Sequence, residues 1–210
     1  MSLVIHQRPQ PTQPPAVCQL VEDPFVAEER KDEREWLRAV LDFNPAVCEA
    51  FFAKRAVLVE GDTEIAVLAC QPDLRRLAGI DEDAARDVTV VSCDGKWTII
   101  PLARLLELFG VPVRVIHDTD RKERTDEELQ ADKGNEFHAN QRIAEIVGAD
   151  SVLAVDDTFE HLLWAKDSAP KSSSDKPFRA WKRARELASG RDNLDHAVEL
   201  RKAMTFAFGF

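Results

Sequence analysis

The sequence has no tyrosine and only eight glycines among its 210 residues. Without a phenol, the chain cannot use a tyrosine nucleophile to form a covalent intermediate. None of the glycines belongs to a G-x-x-x-x-G-K-S/T segment, the loop that cradles nucleotide phosphates in many ATPases. We therefore do not assign ATP hydrolysis to these residues.

The sequence also lacks a cysteine pair and a long hydrophobic run. Its four cysteines, Cys18, Cys48, Cys70 and Cys93, form no C-x-x-C motif, which argues against a zinc site and against a disulfide framework. No stretch approaches the roughly 20 apolar residues that cross a bilayer, and the first ten residues show no signal peptide. We expect a cytoplasmic protein with free thiols and no membrane partner.

Charge is plentiful but unevenly distributed. Apolar residues make up 44% of the chain and charged residues 31%, so most of the chain is expected to fold. The net charge of −10 argues against non-specific binding to nucleic acid, although bound divalent cations would cancel part of it. Residues 171–191 are instead positively charged, with seven basic residues and two acids.

Short apolar runs, rich in β-branched residues, alternate with helical patterns in the middle of the chain. Strands are predicted at 56–60, 87–93, 113–120 and 151–157, and helices at 62–70, with Asp62 as N-cap, at 98–110 and at 126–148. This alternation predicts an α/β fold with a Rossmann-like parallel sheet and flanking helices. The predicted division of the chain is a linker or disordered segment at 1–20, a helical segment at 21–53, the α/β domain at 54–165 and a C-terminal helical segment at 166–210.

Acidic residues follow three of the predicted strands. Glu60 ends the first strand, with Glu64 one helical turn later, Asp118 and Asp120 end the third, and Glu160 follows the fourth. Because ligands bind at the carboxyl ends of parallel strands, these carboxylates are expected to meet. Carboxylate oxygens suit Mg²⁺, and a pair of such ions can promote phosphoryl displacement. Removing one of two crowded aspartates is expected to leave the fold equally or more stable.

These segments resemble a known family. V-L-V-E-G-D-T-E at 57–64 and I-H-D-T-D at 116–120 resemble the Toprim signature, a glutamate-glycine after one strand and a D-x-D after a later one. The E-G-x-x-E form, V-S-C-D-G-K at 91–96 and D-T-F-E at 157–160 are similar to the OLD (overcoming lysogenisation defect) nucleases. Family members also carry a lysine in a segment resembling K-P-F-R-A at 176–180.

The resemblance implies a Toprim domain at 54–165 whose active site is completed by the C-terminal segment. It implies an endonuclease that hydrolyses DNA with two divalent ions, Mg²⁺ or Mn²⁺. The implied metal ligands are Glu60, Glu64, Asp118, Asp120 and Glu160. Glu60 or Glu64 is the implied base, and Lys176 is the implied catalytic cation. The family carries an ATPase domain ahead of the Toprim domain, so we expect this partner, and any role for ATP, in a full-length protein.

Several residues near the acids have weaker interpretations. Ser92 and Lys96 lie in a strand-to-helix turn, which is a place where a substrate phosphate can be held. His117 is expected to pack or to orient an acid rather than to bind metal. Asp156 and Asp157 are equally well explained as helix caps.

Other functions fit the motifs less well. A haloacid-dehalogenase-type phosphatase carries its D-x-D after the first strand, with threonine or valine two residues on, where this chain has Lys122. A topoisomerase needs the tyrosine that this chain lacks. A non-catalytic Toprim module for nucleic-acid binding or dimerisation would not need its acids. The function of another Toprim phosphoryl-transfer enzyme remains an alternative.

Overall fold

The computed structural model describes residues 4–6, 17–19, 23–27, 30–121, 124–131, 136–165, 168–169, 175–190 and 194–209. The strands are β1 Val4–His6, β2 Val17–Gln19, β3 Arg55–Val59, β4 Val88–Ser92, β5 Val113–Asp118 and β6 Val152–Val155. The helices are α1 Lys31–Phe43, α2 Asp62–Leu68, α3 Pro72–Leu77, α4 Glu82–Arg86, α5 Lys96–Leu108, α6 Asp126–Ala131, α7 Glu136–Val147, α8 Lys176–Ala188 and α9 Leu194–Phe208. Short 3₁₀ helices lie at Pro45–Phe52, Ala149–Ser151 and Phe159–Leu162.

The central sheet has four parallel strands in the order β4-β3-β5-β6. This arrangement confirms the predicted α/β class. The chain passes from β3 to β4 on one side, and β5 then pairs on the other side of β3. The strand order therefore reverses between β3 and β5. In open parallel sheets this crevice, at the carboxyl ends of the strands, is where ligands bind.

Both faces of the sheet are covered, which explains why β3 is apolar throughout its last four residues. Ala56 and Leu58 point into a core shared with α1, α5 and α7. Val57 and Val59 point into a second core with α2, α8 and α9. On α5, the predicted apolar positions Leu102, Leu105, Leu106 and Phe109 are all buried. The rigid double-sided packing fixes the strand ends that carry the acids.

The structure differs from the sequence expectations at several boundaries. Within the predicted linker at 1–20, β1 and β2 form a short antiparallel pair, and the Pro/Gln tract at 7–15 lies outside the described residues. Asp62 is not the N-cap of α2, because Gly61 holds that position without a side-chain cap. The predicted helix at 126–148 is described as α6 and α7.

Among the described residues, we find no helix with the length and apolar character needed to cross a membrane.

Candidate active site

Glu60 lies directly after β3 and contacts the neighbouring strand. Its Oε1 accepts a hydrogen bond of 2.6 Å from the backbone N–H of Asp118 at the end of β5. Its backbone carbonyl accepts one of 2.8 Å from the N–H of Gly95, in the turn between β4 and α5. Gly95 has a φ of 117°, a conformation that glycine adopts without a steric penalty. Three strand ends therefore meet at Glu60.

Lys96 is the cation at the centre of this arrangement. It begins α5, is only 1% exposed, and places its Nζ 2.5 Å from Asp120 Oδ2 and 3.7 Å from Glu60 Oε1. A buried ammonium is costly without such partners. Two carboxylates therefore engage the ammonium inside the protein, and the contact of Lys96 with a substrate phosphate stays a prediction. Ser92 ends β4 beside Val59, at the same edge of the sheet.

Asp120 has an unusual backbone that the surroundings hold in place. Its φ is 53°, in the left-handed region that non-glycine residues rarely adopt. Its N–H donates to the carbonyl of Asp157 at 3.3 Å, and the Arg124 guanidinium donates to its carbonyl at 3.2 Å. The Thr119 hydroxyl accepts from the Asp157 N–H at 2.8 Å. Strain maintained by several contacts is typical of functional sites.

The other two predicted ligands lie on the α2 side of the cleft. Glu64 is buried in the first turn of α2, and Glu160 is buried in the 3₁₀ helix that follows β6. Lys176, the first residue of α8, places its Nζ 2.6 Å from Glu160 Oε1. Ala180, Ala184 and Leu187 hold α8 in the same core as α2. The C-terminal segment thus brings Lys176 to the acids despite its distance in sequence.

The electrostatics show that the acids act on one another. Burial raises the pKa of Glu60 to about 7, of Glu64 to about 8 and of Asp118 to about 9. Repulsion from Glu60, Glu64, Glu160 and Asp120 adds to the raised pKa of Asp118. Lys96 and the Asp118 N–H act in the opposite direction on the pKa of Glu60. Additional positive charge would let all of these groups ionise at neutral pH.

The donor set suits a hard divalent cation. Asp118 Oδ1 is buried and has no hydrogen-bond partner within the described part of the protein. Carboxylate oxygens are the preferred ligands of Mg²⁺ and Mn²⁺. In the described ranges, however, no three Asp, Glu, His or Cys side chains are grouped closely enough to hold an ion as they stand. The ammonium groups of Lys96 and Lys176 contact three of the carboxylates, so ion binding would require these contacts to rearrange.

Two further residues border the acids. Burial lowers the pKa of His117 to about 4, and its Nδ1 lies 2.8 Å from the Asp118 carbonyl, which only accepts hydrogen bonds. His117 is therefore neutral and donates to the backbone of the D-x-D segment. Glu136, which sequence reasoning missed, begins α7, raises the pKa of Glu60 and has a buried Oε2 with no hydrogen-bond partner among the described residues. No local pattern distinguishes Glu136 from the other polar residues of 126–148.

Asp118→Asn is expected to stabilise the metal-free protein, increasingly as pH rises. Because the folded pKa of Asp118 is raised to about 9, the folded chain holds a proton that the unfolded chain releases. The resulting stability is complete below about pH 4 and is lost as pH rises towards about 9. Asparagine stays neutral, so the variant should gain at least about 1 kcal/mol near pH 8 and less near pH 5.

Thermal unfolding in EDTA across this pH range measures the effect. The matched control is Asp83→Asn, because Asp83 is an exposed aspartate on α4. We expect the control to change stability by no more than about 0.5 kcal/mol. A destabilised Asp118→Asn variant, or one with the pH slope of the original protein, would contradict the arrangement described above.

The fold and the site together define a Toprim-type α/β domain. Residues 51–120 match the family described as overcoming lysogenization defect protein-like, TOPRIM domain, and this part of the chain is therefore an OLD-like TOPRIM domain. The chain is also 35% identical over 145 residues to an OLD nuclease of Thermus scotoductus (strain ATCC 700910 / SA-01). That alignment covers 65% of this chain and 26% of the relative, so the chain spans about a quarter of the relative's length.

Proposed function

We propose that this chain is the nuclease part of a larger protein and hydrolyses DNA phosphodiester bonds with divalent cations. The observation that carries the proposal is the group of buried acids at the β3–β5 crevice, with raised pKa values and an Asp118 oxygen that has no partner in the described part of the chain. The similarity to an OLD nuclease supports it. A structural role alone does not explain buried carboxylates that repel one another.

Glu60, Glu64, Asp118, Asp120 and Glu160 are the residues that would hold two Mg²⁺ or Mn²⁺ ions. When bound, such ions supply Lewis acidity to the attacking water and to the phosphate oxygens. A carboxylate whose pKa lies near neutrality is suited to take a proton from water. Glu60, with a pKa of about 7, and Glu64, with about 8, both meet this condition.

The two lysines have different roles in this proposal. Lys96 is buried and keeps Asp120 and Glu60 in position through its ammonium. Lys176 is 34% exposed at its side chain and contacts only Glu160 among the acids in the described structure. Lys176 is therefore the cation that can move onto a substrate phosphate, where it would stabilise the charge that develops in the transition state.

Supercoiled plasmid provides the direct test. We expect Mg²⁺ or Mn²⁺ to produce nicked or linear DNA, and EDTA to stop the reaction. Asp118→Asn, purified in parallel, is the control for a contaminating nuclease, and it should be inactive while folded. Equal cleavage in EDTA, or full activity of this variant, would refute the proposal. A folded, DNA-binding but inactive protein would instead support the non-catalytic Toprim module.

The proposed partner is an ATPase domain N-terminal to these residues in a full-length protein. The matched region makes up 26% of the relative's length, so the relative is much longer than this region. This leaves room for further domains in a protein of that type. ATP would then act through that domain and not through residues of this chain. Joining the two domains and measuring ATP-dependent cleavage tests this part of the proposal.

A further inference from the structure

Helix α8 presents aromatic and basic side chains on one exposed face. Phe178, Trp181, Lys182 and Arg185 follow the i, i+3, i+4, i+7 spacing that places residues on one side of a helix. Phe178 is 63% exposed and stacks on Trp181, with ring centres 5.9 Å apart and planes inclined by 20°. The Arg185 guanidinium lies 4.7 Å from the centre of the Trp181 ring. We call these four residues the α8 aromatic face.

The α8 aromatic face is fixed relative to the active site. The Gln71 side chain donates to the Trp181 carbonyl at 3.1 Å, and Arg183 Nε donates to the Leu163 carbonyl at 3.0 Å. At a rise of about 1.5 Å per residue, Phe178 and Trp181 lie within about 8 Å of Lys176 along the helix axis. Lys176 itself contacts Glu160 among the acids. At about 3.6 residues per turn, however, the face lies about 140–240° around the helix from Lys176, so it is on the side of α8 opposite the contact with Glu160.

The charge of α8 is opposite to that of the chain as a whole. The helix carries five basic residues and one acid, whereas the chain has a net charge of −10. Lys182 and Arg185 are exposed on the same side as Phe178. Proteins that hold single-stranded nucleic acid combine basic residues for the backbone with aromatic rings on which bases stack. Arg185 against the Trp181 ring adds a cation–π contact to the same surface.

We propose that the α8 aromatic face stacks an unpaired nucleobase of a strand that runs over the side of α8 facing away from the acids, so the protein binds DNA with a single-stranded stretch. That the bound strand is also a substrate rests on the proposed nuclease function. Phe178 offers the ring surface, Trp181 supports it from below, and Lys182 and Arg185 contact the flanking phosphates. In a paired duplex the base faces are covered by their neighbours, so the aromatic face would have nothing to stack on.

Fluorescence anisotropy of a labelled single-stranded oligonucleotide, with the full chain in EDTA to prevent cleavage, tests the inference. Phe178→Ala is expected to bind about tenfold more weakly, because one base–aromatic contact is lost. Phe178→Trp should retain the affinity. The matched control is Phe52→Ala, since Phe52 is 69% exposed on the 3₁₀ helix ahead of β3. It should bind like the original protein.

An oligonucleotide with abasic sites separates stacking from backbone attraction. The original chain and Phe178→Ala should bind it equally, and both should bind duplex DNA equally. The inference is overturned if Phe178→Ala weakens abasic and duplex binding as much as single-strand binding, if it behaves like Phe52→Ala, or if no oligonucleotide binds. Plasmid cleavage is scored separately. Base-dependent binding without cleavage by the original chain would refute the nuclease proposal and leave the stacking surface intact.

Discussion

Replacing Asp120 with alanine is expected to abolish cleavage and to lower the free energy of unfolding by about 3 kcal/mol. The stability loss arises at Lys96, whose ammonium is buried and lies 2.5 Å from Asp120 Oδ2. Without Asp120, its remaining carboxylate is Glu60 at 3.7 Å, among the described contacts. The sequence predicts that either aspartate can be removed without a stability loss, and for Asp120 the contact with Lys96 leads us to expect the opposite result.

The double variant Lys96→Met/Asp120→Ala isolates the cause. Methionine removes the buried charge and keeps much of the side-chain volume, so the double variant should be more stable than Asp120→Ala alone. Chemical denaturation of the two single variants and the double variant gives the coupling free energy of the pair. Cleavage should stay absent in the double variant. If Asp120→Ala unfolds like the original protein, the buried pair does not contribute to stability and our account of Lys96 is wrong.

Lys176→Ala is expected to reduce the cleavage rate about a hundredfold while DNA affinity changes little. Its ammonium lies 2.6 Å from Glu160, and 34% of its side chain is exposed, so it can reach a bound substrate. Loss of a contact made mainly in the transition state lowers the rate more than it lowers the affinity. Single-turnover cleavage and anisotropy measure the two quantities separately.

Lys182→Ala is the matched control on the same helix. Lys182 is exposed on the α8 aromatic face, away from Glu160, and should contact the DNA backbone only. Its loss should weaken binding modestly and flatten the salt dependence, with little effect on the rate at saturating DNA. If Lys176→Ala and Lys182→Ala behave alike, Lys176 belongs to a general basic surface and its catalytic role must be dropped.

The positions of the strand ends could be predicted from the sequence because they depend on local patterns of residues. Apolar runs located β3 and β5 to within one or two residues, and parallel topology then brought Glu60 and Asp118 to one edge. The contact between Lys96 and Asp120 could not be predicted from the sequence. A lysine at the first position of a helix is ordinarily solvated, and its burial results from the way α5 packs against two other strand ends.

Local sequence patterns also could not predict the contact between Lys176 and Glu160. From the residues alone, Lys176 is one lysine among many in a basic segment, and only the family resemblance singled it out. Its position depends on α8 packing through Ala180, Ala184 and Leu187 against distant parts of the chain. Glu136 was missed for the same reason, since nothing near it in sequence reveals its electrostatic effect on Glu60.

The position of α8 in the chain also has a consequence for biosynthesis. A chain emerging from the ribosome completes β3, β5 and β6, with their acids, before Lys176 exists. The carboxylates can then gather around Lys96, but the ammonium that contacts Glu160 and the α8 aromatic face arrive only with the C-terminal segment. In the proposed nuclease, a chain cut ahead of α8 would carry all five acids without Lys176, and we expect it to cleave DNA poorly.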